Sequence, residues 1–127
     1  MGYLSVILAT IGAYAFGAFW YIYMSKPWIR AAGIPVDASG NGSPLPFIVG
    51  FLCVLVVAGM MRHIFDMAAL DTVGEGLMGG FGLGAFIITP WVVMNYTYAA
   101  RPRALALIDG TYSVVGCTII GIILTLF

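Results

Sequence analysis

Charge is what this sequence has least of. Five Lys and Arg, five Asp and Glu and one His are spread over 127 residues, so charged residues make up 8% of the chain. A soluble domain commits about 25% of its residues to charge, which lets water cover its surface. The few ionisable groups here cannot do that, and a water-soluble globule is excluded. Basic and acidic residues cancel and no basic run occurs, which removes nucleic acid as a partner. Cysteine is scarce too. Cys53 and Cys117 both lie within apolar stretches, where a thiol packs as a small hydrophobe, and neither stands at zinc-ligand spacing with a His. Phosphate-loop and lipidation motifs are missing. No nucleophile, paired-carboxylate acid–base site or metal site emerges, so no catalytic residue and no metal ligand is expected.

What fills the chain instead is hydrocarbon. Hydrophobic residues make up 62%, and the mean hydropathy is +1.07. A spanning helix needs roughly 20 mostly apolar residues, so a chain of this length divides into four spans with short connections. The predicted fold is an all-α membrane protein, a single small bundle of four transmembrane helices over 1–127, with spans at about 3–24, 45–63, 74–98 and 103–126. Residues 1–24 lack the charged start of a signal peptide, and their apolar run is too long for one. They are also rich in aromatics, so they read as a retained span.

The first span carries no charge and ends at Ser25-Lys26-Pro27, where Pro27 discourages further helix and Lys26 can reach headgroups. Trp20, Tyr21, Tyr23 and Trp28 flank that end as an interfacial aromatic belt. Lys26, Trp28 and Arg103 are the expected interfacial anchors. The connection over 25–46 holds a turn-rich cluster at 38–44, and Trp28, Ile29, Ile34 and Val36 suggest a short segment lying on the interface. The second span is uncharged from Phe47 to Met61 and ends at Arg62 and His63. Asp66 shares a helical face with His63 and should pair with it. Thr72 followed by Glu75 is a capping box opening the third span. That span is rich in glycine, which leaves one face nearly bare backbone, and Pro90 should kink it by freeing the carbonyl of Phe86. Ala99-Ala100-Arg101-Pro102-Arg103 is a tight turn into the last span.

Orientation follows from basic residues alone. Lys26 and Arg30 follow the first span and Arg101 and Arg103 the third, whereas Arg62 alone follows the second. By the positive-inside rule the first and third connections face the cytoplasm, leaving both termini outside.

Two sets of residues stand out within the spans. Helices in lipid associate through small residues, which let backbones approach closely. Gly80 and Gly84, then Ser113, Cys117 and Gly121, then Ala13 and Gly17 repeat such residues every four positions. They serve either packing within the bundle or contacts with another chain. The second set is polar. Asn95 and Asp109 sit on either side of the turn at Pro102, at comparable depth for about 1.5 Å of rise per residue. Trp20 and Tyr21 reach the same level. An Asp about two turns into a span is costly and needs a partner, which Asn95, Arg101, Arg103 or a tyrosine hydroxyl would supply. The candidate polar cluster is therefore Asn95, Asp109, Arg101, Trp20 and Tyr21. It is expected to be a staple between helices, with a proton-linked or substrate-binding site as the alternative.

The stretch Gly17-Ala18-Phe19-Trp20-Tyr21 with Lys26-Pro27-Trp28 resembles the opening of the small bacterial membrane proteins grouped as DUF1761. Asn95 ahead of Arg101, the run Leu107-Ile108-Asp109-Gly110-Thr111-Tyr112, and a closing span with Gly116 and Gly121 resemble its second half. Ser25 departs from the Gly usual before the Lys, and the segment from Asp66 to Glu75 matches nothing in that pattern. The expected location is a bacterial inner membrane, and the resemblance implies a four-helix membrane fold. It implies no activity, since the family is of unknown function.

The expected role is non-enzymatic. It is that of a structural or accessory subunit bound laterally to a larger membrane complex, with bioenergetic (respiratory or photosynthetic) assemblies as the first hosts to consider. The expected partners are membrane lipids and other transmembrane subunits. No intrinsic cofactor is expected, although contacts with lipid, quinone or pigment suit aromatic-rich spans. The alternatives are a small homo-oligomeric transporter or channel with Asp109 lining the path, and a membrane enzyme or lipid-binding protein acting at headgroup level near Lys26 and Arg101.

Overall fold

A computed structural model describes residues 2–33 and 44–127. The protein is all-α. We label its helices α1 (Gly2–Tyr23), α2 (Ser25–Ala32), α3 (Leu45–Ala68), α4 (Val73–Tyr98) and α5 (Arg103–Leu126). All but α2 are long and apolar enough to cross a membrane. The described residues contain no strand.

Helix α2 is the described part of the first connection. It is short and amphipathic, with Trp28 and Ile29 half-buried and Lys26 and Arg30 exposed. Gly33 closes it at φ 71°, donating its N–H to the Ile29 carbonyl. That left-handed conformation costs glycine nothing. Ile34, Val36 and the turn-rich residues 38–43 lie outside the described residues.

Helix α3 continues to Ala68, beyond the end expected near His63. The physical reason is Phe65, which is 1% exposed and belongs to the core. Its ring lies against Gly79 of α4. The helix stops when Ala69 enters the left-handed region at φ 57° and the Leu70 N–H reaches back to the Phe65 carbonyl, a Schellman closure. His63 is exposed and does not pair with Asp66; the acid instead meets Arg62, at 3.7 Å and one turn away.

Helix α4 opens on the capping box. Thr72 Oγ1 accepts from the Glu75 N–H at 3.2 Å, and Glu75 Oε1 accepts from the Thr72 N–H at 3.1 Å. Midway, residues Gly84–Ile88 form one π-helical turn. The break expected at Pro90 is thus absorbed before the proline. The carbonyl that gains donors is that of Gly84, which accepts both the Thr89 N–H and, at 2.6 Å, the Thr89 hydroxyl. Such a turn holds one extra residue.

Helix α5 is the centre of the molecule, flanked by α4 and α1, and α3 packs mainly on α1. The α4–α5 contact is backbone on backbone. A Cβ added to Gly76, Gly80 or Gly84 would overlap the carbonyl of Gly121, Cys117 or Ser113 respectively. On the other side, Gly17 of α1 lies under the Tyr112 ring and Ala13 is buried. Ala13, Gly17, Gly80, Gly84, Ser113, Cys117 and Gly121 therefore all sit on faces between helices of this chain. Gly76 continues the stripe by one turn.

Candidate functional site

Asp109 lies in the second turn of α5, and both of its carboxylate oxygens are engaged. Tyr21, in the last turn of α1, donates its hydroxyl to Oδ1 at 2.6 Å. Tyr96, in the last turn of α4, donates to Oδ2 at 2.5 Å. One side chain thus joins three helices. An acid away from water is tolerated where its oxygens are hydrogen-bonded, and O–H donors to a carboxylate are among the strong bonds of their kind.

Aromatic rings wall the group. Tyr21 meets Tyr112 edge to face with centroids 5.5 Å apart, and Trp28 in the same manner at 6.0 Å. Trp20 stacks on Phe16 and donates its indole N–H to the Ile108 carbonyl at 3.0 Å. Tyr112 donates to the Ala13 carbonyl at 3.4 Å. Trp20 and Tyr21 are therefore adjacent residues pinning α1 to adjacent residues of α5.

Two members of the expected cluster are elsewhere. Asn95 is exposed, and its side chain makes no hydrogen bond among the described residues. The π turn explains the substitution of Tyr96 for Asn95. At about 100° per residue of regular helix, Asn95 would lie on the face of Gly80 and Gly84; one inserted residue turns that face onto Tyr96. Arg101 is exposed too. Its Nη2 donates to the Ala32 carbonyl at 2.5 Å, tying α2 to the α4–α5 turn rather than approaching Asp109. Lys26 and Arg103 are exposed at the same rim. Trp28 is half-buried there, its indole N–H without a hydrogen-bond partner among the described residues.

Sequence reasoning did not single out Tyr96, Tyr112 or the role of Arg62. Arg62 Nη1 donates to the Leu124 carbonyl at 2.9 Å, at the rim opposite Asp109. There it serves one of the carbonyls that a helix C-terminus leaves open. Its spacing from Asp66 was visible; its reach across to α5 was not.

A cavity of about 150 Å³ lies between α3 and the central helix, lined by Ala13, Cys53, Val57, Tyr112, Cys117 and Ile120 among others. Among the described residues, no three His, Cys, Asp or Glu side chains converge as metal ligands would. Chemically, the arrangement locks three helices in register through one carboxyl group.

The family model described as "Protein of unknown function (DUF1761)" matches residues 4–125. No curated protein and no solved structure matches the chain.

Proposed function

We propose that this chain, which belongs to the DUF1761 family, is a non-enzymatic accessory subunit that associates laterally with other transmembrane chains. The observation that carries this reading is the engagement of Asp109. It is the single acid set deep in a span, and Tyr21 and Tyr96 take both of its oxygens. An acid held in this way, with each oxygen already accepting a hydroxyl from a different helix, acts as a staple between helices.

The outward faces support the same reading. Phe47, Leu52, Val56 and Met60 on α3, and Met78, Phe81, Phe86 and Trp91 on α4, are large apolar side chains pointing away from the bundle. Such faces meet lipid or other spans. No intrinsic cofactor is required; quinone or pigment bound by a host complex would meet these same faces. In this reading the protein lies in a bacterial inner membrane. The rim carrying Lys26, Arg30, Arg101 and Arg103 faces the cytoplasm and both termini face the periplasm, as the positive-inside rule requires.

The test is gentle solubilisation of native membranes followed by mass spectrometry of the co-purifying chains. The expected result is a stable hetero-complex. A self-oligomer with no other polypeptide overturns the proposal and supports the transporter alternative.

A further inference from the structure

We propose that the rim built from α2 and the α4–α5 turn binds the headgroup of an anionic phospholipid. The inference rests on the chain spanning a membrane and not on its being an accessory subunit.

The rim gathers positive charge that no acid among the described residues compensates. Lys26, Arg30, Arg101 and Arg103 are four of the five basic residues in the chain, and all four are exposed. Among the described residues none of them makes an ion pair; the Arg62–Asp66 pair lies on the opposite side of the membrane. Arg101 spends one N–H on the Ala32 carbonyl, a neutral group that leaves the guanidinium charge in place. The same bond clamps α2 beside the turn, so the charges of two connections share one surface. Asp37, the one acid in these connections by sequence, lies outside the described residues. Asp109 is deeper, and its oxygens are already held by Tyr21 and Tyr96.

The surroundings select a lipid over a soluble anion. Tyr23 and Tyr98 are exposed at this rim, by 71% and 87%, and exposed tyrosines sit well at headgroup level. The apolar side of α2, with Trp28 and Ile29, faces inward, while its cations face out. A ligand here must therefore be negative at its head and apolar below it. Trp28 packs edge to face on Tyr21 with centroids 6.0 Å apart, which fixes the apolar side of α2 against the bundle and leaves its cations at the surface. Arg103 and Arg101 offer forked donors suited to phosphate oxygens.

The experiment uses the full chain in neutral detergent. Phosphatidylglycerol and phosphatidylcholine are titrated separately while thermal unfolding and lipid retention in native mass spectrometry are followed. Phosphatidylglycerol should raise the unfolding temperature and stay bound, with high salt weakening the effect. Phosphatidylcholine should do neither. Lys26 and Arg103 make no side-chain hydrogen bond or ion pair among the described residues, so the double variant Lys26→Gln/Arg103→Gln should keep its helical content. At about fivefold per cation removed, its affinity for phosphatidylglycerol should fall about 25-fold. Equal response to the two lipids overturns the proposal, as does wild-type affinity in a folded double variant. An equal shift with inorganic phosphate at the same concentration also overturns it, by showing a site for free anions.

Discussion

Tyr96 donates a 2.5 Å hydrogen bond to Asp109, and it is Tyr96 rather than Asn95 that does so because α4 carries one π-helical turn between Gly84 and Ile88. The glycine stripe of Gly76, Gly80 and Gly84 points α4 at α5 before that turn. After it, Thr89 faces Gly110, with its hydroxyl 3.4 Å from the Gly110 carbonyl, and Tyr96 faces Asp109.

Tyr96→Phe and Tyr21→Phe each leave one Asp109 oxygen without its donor. Each should lower stability in detergent by about 1–3 kcal/mol, the cost of a buried group left unpaired. Asp109→Asn should do the same, because an amide has one acceptor oxygen for two hydroxyls. Asn95→Ala should stay within about 0.5 kcal/mol of wild type, as exposed substitutions do. Thermal unfolding followed by circular dichroism measures all four. A stable Asp109→Asn with a lost cellular activity would point instead to a functional site.

Exchanging the two neighbours tests the register directly. The variant Asn95→Tyr/Tyr96→Asn keeps composition and depth but moves the phenol about 100° around α4. It should unfold as readily as Tyr96→Phe. Wild-type stability would mean that depth, and not facing, decides the contact.

The glycines of α4 should separate into two classes. Gly80→Ala and Gly84→Ala drive a methyl into the Cys117 and Ser113 carbonyls, and should cost roughly 1–3 kcal/mol or force α4 away from α5. Gly82→Ala meets nothing within 4 Å and should be neutral or stabilising by up to about 1 kcal/mol through helix propensity. Unfolding temperatures of the three variants check this.

Ala69 and Ala100 adopt φ 57° and 56° at the ends of α3 and α4. A Cβ in that region costs roughly 1–2 kcal/mol, offset in part by the extra freedom glycine has when unfolded. Ala69→Gly and Ala100→Gly should each stabilise the protein by about 0.5–1 kcal/mol in the same assay.

Arg62 joins α3 to the end of α5 through the Leu124 carbonyl. Arg62→Gln should destabilise by about 1–2 kcal/mol, the loss of a charge-assisted bond at a helix terminus. Asp66→Asn, whose partner contact is 3.7 Å long and mostly exposed, should cost less than about 1 kcal/mol.

Composition and length were enough to determine that bilayer replaces water around this chain and that four apolar helices cross it. So little charge cannot cover a globule, and every backbone polar group in hydrocarbon must be satisfied within its own helix. Local signals were equally legible: the capping box at Thr72 and Glu75, the small residues from Gly80 to Gly121, and the cost of Asp109. Which side chains meet Asp109, how far α3 continues, and what Arg62 and Arg101 hold were decided only by the tertiary structure. Hydropathy and depth place a residue along the helix axis, but facing depends on rotation about it. A single extra residue at Gly84–Ile88, Phe65 seated on Gly79, and carbonyls offered by distant helices set that rotation and those contacts.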